Sequence, residues 1–216
     1  MTDLSAVLEN IHWLGHASFR IDVDNLVIYL DPWQLSGGPK ADLILITHDH
    51  EDHCSSRDIS KIQKKDTVIV TVPACKNKLS GQIITIKPYD HLVVKGIQIN
   101  AIPAYNVNKV DEDGKPFHQQ KAGYVGYILD IDGIQIFHAG DTDLIPEFSD
   151  IAIDIAFLPI SGKYVMTVEE AGKAIDVLKP KVAIPMHVGR GIGTNEDLSQ
   201  FKKLSPSIVK ILPQES

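Results

Sequence analysis

Residues 43–53 of the chain read Leu43-Ile44-Leu45-Ile46-Thr47-His48-Asp49-His50-Glu51-Asp52-His53 and decide its fold. The apolar run at the start predicts a buried β-strand. Imidazoles and a carboxylate follow it directly, and these are the ligands that hold zinc and similar divalent ions. His48 and His50 share one face of an extended chain, whereas Asp52 and His53 can be aimed at the same place only if the chain turns. This pattern suits two adjacent metal ions better than one.

The same run has a simpler interpretation as a polar loop with exposed histidines. Such a loop rarely carries the pattern H-x-H-x-D-H immediately after a buried strand, so we favour a metal site. Cys54 follows directly and could add a thiolate, although a small loop residue is the interpretation we favour. Two ions that each keep an open position need roughly six protein ligands. Other segments of the chain must therefore supply the remainder.

Composition and net charge limit the classes of protein to which this chain can belong. The length of 216 residues is enough for one domain with a sizeable core, and we treat residues 1–216 as a single domain. The net charge of −7 argues against a nucleic-acid partner, which calls for a basic face. No apolar run approaches the length of a membrane span, and the N-terminus lacks a signal-peptide pattern. Cys54 and Cys75 are the only cysteines, so we predict a cytoplasmic location, with association into a homo-oligomer left open.

Short β-rich runs separated by turn residues predict most of the fold. Two rounds of strands, each followed by a helix, predict two sheets packed face to face with helices outside. A hairpin turn is expected at Asp24-Asn25, and the segment 105–123 is a long loop of the kind that is often functional. The predicted helices are Arg57–Lys65, Thr167–Leu178 and Glu196–Lys203, the second with a capping box. The predicted strands are Ile11–Leu14, Ser18–Val23, Leu26–Leu30, Leu43–Ile46, Thr67–Val72, Ile83–Ile86, His91–Val94, Ile97–Ile102, Tyr124–Ile131, Ile134–Phe137, Ile153–Leu158 and Val182–Ile184.

Residues of metal-ligand type also follow other predicted strands. The run His138-Ala139-Gly140-Asp141-Thr142 follows one strand, and Pro185-Met186-His187 follows another. A third strand leads through Pro103-Ala104-Tyr105-Asn106 into the long loop. Catalytic residues are commonly carried on loops at strand ends. These segments are therefore the candidates for completing the metal site.

With these motifs the chain resembles the metallo-β-lactamase superfamily. The resemblance runs from Trp13-Leu14-Gly15-His16 to Met186-His187 and rests on T-H-x-H-x-D-H, the later G-D-T and a histidine at a late strand end. Trp13-Leu14-Gly15-His16-Ala17 and Leu30-Asp31-Pro32 are similar to the branch that includes ascorbate-6-phosphate lactonase and the phospholipase D acting on N-acyl-phosphatidylethanolamine. The fold implied is an α/β fold, the four-layer αβ/βα sandwich, with the metals at one edge between the sheets.

The resemblance also implies a set of ligands. His48 and His50 would bind a first metal, while Asp52, His53 and His187 would bind a second, and Asp141 would bridge both. Many relatives place a histidine after the strand that corresponds to Ile97–Ile102, in a pattern like P-A-x-H. This chain has Asn106 at that position. We assign the missing imidazole to His118 on the long loop. The alternative is completion of the first metal site by water or Tyr105.

The chemistry expected is hydrolysis of an ester, lactone or phosphoester bond by a hydroxide held between two divalent ions, because a bound ion lowers the pKa of water toward about 7. Zinc is the expected metal, with Mn²⁺ or Fe²⁺ as alternatives. Asp52, His16 and Tyr105 are candidates for assisting the leaving group, and the sequence does not choose among them. Asp31 is expected to orient a ligand histidine through a hydrogen bond. His138 is expected to lie behind the ligands or in the core.

The substrate is expected to be a small molecule. Lys163 and Arg190 would suit an anionic one, although each is more often a solvated surface charge. The alternative function is a non-catalytic metal-binding or sensing protein on the same scaffold. A complete set of ligands favours catalysis over that alternative. Processing of nucleic acid is disfavoured by the acidic charge balance.

Overall fold

The computed structural model describes residues 3–23 and 25–215. Four α-helices lie among them: α1 (Leu4–Glu9), α2 (Ser56–Ile62), α3 (Val168–Leu178) and α4 (Asn195–Leu204). Short 3₁₀ helices cover Pro73–Lys78, Gln120–Ala122 and Pro146–Asp150. The strands are β1 (Ile11–Gly15), β2 (Ser18–Val23), β3 (Leu26–Leu30), β4 (Leu43–Ile46), β5 (Val68–Thr71), β6 (Gln82–Thr85), β7 (His91–Val94), β8 (Ile97–Pro103), β9 (Val125–Ile131), β10 (Ile134–His138), β11 (Ile155–Pro159) and β12 (Val182–Met186).

The strands form two mixed sheets of six strands each, in the orders β1-β2-β3-β4-β5-β6 and β12-β11-β10-β9-β8-β7. Strands β1 to β3 are antiparallel neighbours, and β3 to β6 run parallel. In the second sheet β7 to β10 are antiparallel and β10 to β12 are parallel. Parallel strands buried on both faces read as continuous apolar runs, which is why β4 and β11 were recognisable from sequence.

The two sheets pack face to face. Phe19 of β2 stacks on Phe157 of β11 with ring centroids 4.2 Å apart. The hydroxyl of Tyr127 in β9 donates across the interface to the carbonyl of Ile46 at the end of β4, at 2.8 Å. The rings of Phe19, Phe157 and Tyr127 are buried. Aromatic rings contribute large apolar areas to such an interface.

Helix α3 follows the local rules of helix formation. Thr167 accepts from the backbone N–H of Glu170, and Glu170 accepts from that of Thr167, so the predicted capping box is present. The helix ends where Lys179 adopts a left-handed conformation before Pro180. The two sheets, with helices packed outside them, confirm the predicted α/β sandwich of the metallo-β-lactamase fold. Helix α1 was not predicted, because six residues carry too little periodicity to stand out.

The long loop of residues 105–123 is tied to the body of the protein. Asp143 Oδ2 accepts hydrogen bonds from the backbone N–H groups of Val107 (2.7 Å), Asn108 (2.9 Å) and Lys109 (3.3 Å). Lys109 Nζ also lies 2.6 Å from Glu170 Oε2 on α3. These bonds give the first turn of the loop a fixed path. The hairpin turn predicted at Asp24-Asn25 falls partly outside the described residues.

Several strand ends meet at one edge of the sandwich. The segments that follow β1, β3, β4, β8, β10 and β12 all reach it, and they carry the histidines and aspartates singled out above. No α-helix among the described residues has both the length and the apolarity needed to cross a membrane.

Candidate metal centre

Histidine and aspartate side chains form three overlapping groups at this edge. In each group one ligand atom per residue lies within 4.8 Å of the others. The groups are His48, His50 and His118; His16, Asp52, His53 and His187; and His48, His53 and Asp141. Every metal ligand assigned from the sequence is a member of at least one group, and Cys54 is a member of none.

Asp141 lies between the other two groups. Its Oδ2 is 3.0 Å from His187 Nε2, 3.4 Å from His118 Nε2 and 3.9 Å from His48 Nε2. Its Oδ1 is 3.3 Å from His53 Nε2. One carboxylate therefore faces imidazoles of both groups, as a bridging ligand must.

Three of these histidines have Nδ1 engaged by another side chain, which leaves Nε2 to face the centre. His48 Nδ1 is 2.9 Å from Thr47 Oγ1, His53 Nδ1 is 2.7 Å from Asp31 Oδ2, and His187 Nδ1 is 2.8 Å from Ser161 Oγ. Outer partners of this kind fix the orientation and tautomer of metal-binding histidines. The orienting role expected for Asp31 therefore has a matching contact in the structure.

Asp31 also fixes the backbone at the start of the histidine run. Its carboxylate, which is fully buried, accepts from the Thr47 N–H at 2.8 Å and the Thr47 hydroxyl at 2.7 Å. Asp31 has φ +43°, a conformation that aspartate tolerates better than most residues. One carboxylate thus positions both the end of β4 and His53.

Asn106 holds His118 in the same manner. Asn106 Oδ1 accepts from the His118 backbone N–H at 2.7 Å and lies 2.9 Å from His118 Nδ1. Asn106 Nδ2 donates to Asp143 Oδ1 at 3.1 Å and to the carbonyl of Tyr164 at 2.8 Å. Both of these partners are acceptors, so the amide has one orientation, and its Oδ1 then requires a proton on His118 Nδ1. The Nε2 lone pair of His118 is left facing Asp141.

Electrostatics keep several of these imidazoles neutral, which is the form that binds metal. Burial lowers the pKa of His16 to about 2, with His187 and His53 adding to the effect. Burial likewise lowers the pKa of His118 to about 4 and that of His48 well below its ordinary value. Burial opposes ionisation of Asp141, but His187 and His53 outweigh it and hold the pKa of Asp141 well below its ordinary range.

His53 differs from the other imidazoles. Burial alone would lower its pKa, yet Asp141 and Asp31 outweigh that effect and raise the pKa of His53 well above its ordinary value. The carboxylates of Asp141 and Asp31 therefore stabilise a positive charge at the position of the His53 ring. A divalent cation would take the place of the proton, since ligands must be deprotonated to bind metal.

The donor set fits a metal ion on a further observation. Within residues 3–23 and 25–215, six buried polar side-chain atoms have no hydrogen-bond partner, and all six belong to this centre. Burying a polar atom without a partner is costly, and metal ions held by the ligands assigned above would satisfy four of them, all but the two ring nitrogens of His16. The atoms are both ring nitrogens of His16, Nε2 of His48, His53 and His118, and Oδ1 of Asp141.

Comparison with known proteins agrees with this chemistry. The Beta-lactamase superfamily domain matches residues 10–187. A UPF0173 metal-dependent hydrolase of Methanopyrus kandleri is 31% identical over 95% of this chain and 98% of its own. Another, from Thermococcus onnurineus, is 36% identical over 90% of this chain and 91% of its own. This chain belongs to the metallo-β-lactamase superfamily, among the UPF0173 metal-dependent hydrolases.

Solved structures extend the comparison. A proposed metal-dependent hydrolase from Parabacteroides distasonis has 35% sequence identity and a TM-score of 0.82, covering 95% of this chain and 93% of that one. Igni18, a novel metallo hydrolase from the hyperthermophilic archaeon Ignicoccus hospitalis, has 25% identity and a TM-score of 0.74, covering 95% of both chains. The narrower branch containing the lactonase and the phospholipase D stays a prediction.

Tyr105 lies away from the metal centre of this hydrolase. Its hydroxyl donates to Glu147 Oε2 at 3.0 Å, and its ring lines a different surface cavity with Val107 and Pro146. Burial, together with Glu147, raises the pKa of Tyr105 to about 12. A competing hydrogen bond directs the phenol to Glu147, so the structure gives no support to Tyr105 as an aid to the leaving group or as a replacement for a missing ligand.

Arg190 is also unavailable to a substrate at this centre. Its guanidinium donates to the carbonyls of Trp33 and Leu14, the latter at 2.6 Å, and lies over the Trp33 ring. It therefore joins three segments of the chain. Lys163 is exposed and sits 4.9 Å from the centroid of the Tyr164 ring.

His138 belongs to the core and not to the centre. Its Nε2 donates to the carbonyl of Ala17 at 2.8 Å, and its Nδ1 accepts from the Gly140 N–H at 3.2 Å. Both ring nitrogens are thus satisfied by backbone. This agrees with the expectation that His138 lies behind the ligands or in the core.

A cavity of about 220 Å³ opens onto the centre. Phe117 and Tyr164 form its apolar wall, in edge-to-face contact with centroids 4.8 Å apart. Ile192 lines it from the loop after β12, which contains Gly189, Gly191 and Gly193. Phe117 and Ile192 were not predicted as site residues, because an apolar residue on a loop carries no signal of its own. The polar lining consists of His50, Asp52, His118, Asp141 and His187.

Proposed function

We propose that this metal-dependent hydrolase uses two divalent ions to cleave an ester, lactone or phosphoester bond in a small molecule. The observation that carries the proposal is the position of Asp141, within 3.0–3.9 Å of imidazole Nε2 atoms from both ligand groups. The first ion would be held by His48, His50 and His118, the second by Asp52, His53 and His187, and both by Asp141. We propose zinc as the metal, with Mn²⁺ and Fe²⁺ as alternatives.

When bound, the ions supply a water of lowered pKa and polarise the oxygen of the scissile bond. The chain's own residues bind and position these parts. Asp31, Asn106, Ser161 and Thr47 fix the ring orientations, and pre-oriented groups lower the cost of reaching the transition state. Asp52 is partly exposed and lines the cavity, so it is placed to carry a proton between substrate and solvent.

The lining of the cavity bears on the substrate. Phe117, Tyr164 and Ile192 supply apolar surface beside the metals, which suits an apolar group next to the scissile bond. Among residues 3–23 and 25–215, no lysine or arginine lines the cavity. Lys163 is the remaining candidate for contact with an anionic group, since Arg190 is bound by backbone carbonyls. The net charge of −7 gives no support to a nucleic-acid substrate.

The non-catalytic alternative is less well supported. A protein that only binds or senses metal has no need for a cavity that exposes His50 and Asp52 beside an apolar wall. Catalytic metal sites, in contrast, keep an open position for water and substrate. The cavity therefore favours turnover over simple binding.

Metal content and hydrolysis test the proposal together. The protein as purified, or reconstituted with Zn²⁺, Mn²⁺ or Fe²⁺, should hold close to two equivalents by elemental analysis. It should hydrolyse at least one member of a panel of 4-nitrophenyl esters, lactones and bis(4-nitrophenyl) phosphate. His48→Ala and His187→Ala should lower both readouts, whereas His91→Ala, which removes an exposed histidine bonded to Asn100, should not. A reconstituted protein that binds no metal would overturn the proposal.

A further inference from the structure

The centre contains one histidine that the proposed ligand set leaves out. His16 directly follows β1, is fully buried, and has φ +55°. Its backbone carbonyl accepts from Trp13 Nε1 at 3.0 Å, which stabilises the tight turn. A left-handed backbone is uncommon outside glycine, and it directs the His16 ring toward the metal centre and away from the sheet interface.

His16 and His187 are held as a pair by their backbones. The His187 N–H donates to the His16 carbonyl at 3.0 Å, and the His16 N–H donates to the Val188 carbonyl at 3.3 Å. His187 shares the unusual conformation, with φ +59°. The two rings lie 4.2 Å apart between centroids. Because His187 is a proposed ligand of the second ion, this pairing places His16 beside the same ion.

The ring of His16 faces the second ligand group. His16 Nε2 is 3.6 Å from Asp52 Oδ2, and His16, Asp52, His53 and His187 each offer an atom within 4.8 Å of the others. Neither ring nitrogen has a hydrogen-bond partner among the described residues. The rings of Trp33, His53 and His187 pack around it, with centroid distances of 5.0, 5.4 and 4.2 Å. A buried imidazole with no protein partner calls for a ligand.

We propose that His16 is a further ligand of the second metal ion, through Nε2. This rests on the proposed function, in which that ion is held by Asp52, His53, His187 and the bridging Asp141. The His16 ring is oriented by the backbone hydrogen bonds between His16 and residues 187 and 188. The other buried histidine ligands are oriented by a hydrogen bond to their Nδ1 atom. The two sites then differ: the second has five protein ligands and the first has four. The second site is the tighter one, and the first keeps the open position that a substrate needs.

Metal titration of the stripped protein tests this assignment. The variant is His16→Asn, because asparagine tolerates a left-handed backbone, and the melting temperature of the metal-free variant checks that it folds. Competition titration with Zn²⁺ should resolve a tight and a weak site in the wild type. His16→Asn should weaken the tight site by at least about tenfold, the scale of effects seen even for residues that only support a ligand, and leave the weak site within about twofold. His50→Ala, in the first group, should do the reverse.

A second variant separates a missing ligand from a disturbed backbone. His16→Gly keeps the φ +55° conformation accessible and leaves room for free imidazole. Added imidazole should restore the tight site in His16→Gly but not in His16→Asn, whose side chain occupies part of the space that the imidazole needs. Substituted Co²⁺ gives a spectroscopic readout, because its visible absorption intensifies as its coordination number falls.

The outcomes separate two failures. If the wild type takes up two ions and His16→Asn leaves both affinities and the Co²⁺ spectrum unchanged, His16 is not a ligand, even if turnover is lost. If the wild type takes up only one ion, the two-metal proposal fails first. Restoration by imidazole of the tight site in His16→Gly supports the assignment, and failure of that restoration in a folded variant contradicts it.

Discussion

The side-chain amide of Asn106 and the ring of His118 are joined by a hydrogen bond of 2.9 Å between Oδ1 and Nδ1. Asn106 occupies the position where the resemblance led us to expect a histidine, and His118 lies twelve residues further on. Because the amide also reaches Asp143 and Tyr164, the long loop returns His118 to the site at a fixed angle. The chain thus places an imidazole at the proposed first metal site although the expected histidine is absent.

Replacing the amide should therefore weaken the first metal site. Asn106→Leu removes the acceptor for His118 Nδ1 and leaves Asp143 Oδ1 without that donor. We expect a loss of about 10–100-fold in affinity at the weaker site, with the tighter site little changed, measured by competition titration. Asn108→Ala is the matched control, since Asn108 is on the same loop but its side chain bonds Glu170 instead. Equal affinities in Asn106→Leu and the wild type would show that the bond from Asn106 to His118 does not support a metal site.

A charge-removing change at Asp31 tests the orientation of His53. Asp31→Asn preserves the shape and tolerates the φ +43° conformation, but it weakens the acceptor for His53 Nδ1 and the Thr47 hydroxyl. We expect the second metal to be held about 10–100-fold less tightly, with a matching fall in turnover at limiting metal. Asp22→Asn, which alters an ion pair of Arg20 on the outer face, should change neither readout.

Much of this fold could be predicted from sequence, because buried strands and capped helices have recognisable patterns within a few consecutive residues. The apolar runs of β4 and β11 and the capping box of α3 are of this kind. The ligands at residues 48–53 could be predicted because they are close together in the chain. Phe117 as a cavity wall and Asn106 as a support could not, since each role depends on segments remote in sequence.

The direction of a side chain at the end of a strand also could not be predicted from the sequence. Tyr105 follows β8 at a position typical of catalytic residues, but the sequence does not specify which way its ring turns. The structure turns it to Glu147. His16, in contrast, which the sequence made a candidate for assisting the leaving group, lies among the candidate ligands, because its backbone conformation and its pairing with His187 leave the ring one direction.

Tyr105→Phe should leave hydrolysis essentially unchanged. The substitution removes a hydroxyl that bonds Glu147 outside the metal cavity, so kcat/KM should stay within about twofold, while stability should fall by about 0.5–1.5 kcal/mol for a partly buried hydrogen bond. Steady-state kinetics on the best substrate and denaturant unfolding check the two parts. A loss of kcat by an order of magnitude or more would return the Tyr105 phenol to the catalytic machinery and imply a second conformation of the loop.

Asp58 gives a prediction about pH that is independent of the metals. Its carboxylate accepts from the backbone N–H groups of Gln34 (2.8 Å) and Leu35 (3.0 Å) and pairs with Lys61 at 2.7 Å. Burial raises its pKa, but Lys61 and the other donors outweigh burial and hold the pKa of Asp58 below the ordinary 3.8. The folded state therefore favours the ionised form more than the unfolded chain does.

The sign of the pH effect follows from that direction. A carboxyl whose pKa is lower in the folded state contributes its full stability above the unfolded pKa, and the contribution is lost as the pH falls through the folded value. Asp58→Asn should cost about 1–3 kcal/mol near neutral pH, because a buried donor loses its partner, and this cost should be nearly constant from pH 8 to pH 5. Below the ordinary pKa of 3.8 the difference between wild type and variant should shrink. Urea unfolding of both proteins across this range, with the exposed Glu112→Gln as control, measures it, and a difference that widens in acid would contradict the assignment of Asp58 as an ionised anchor.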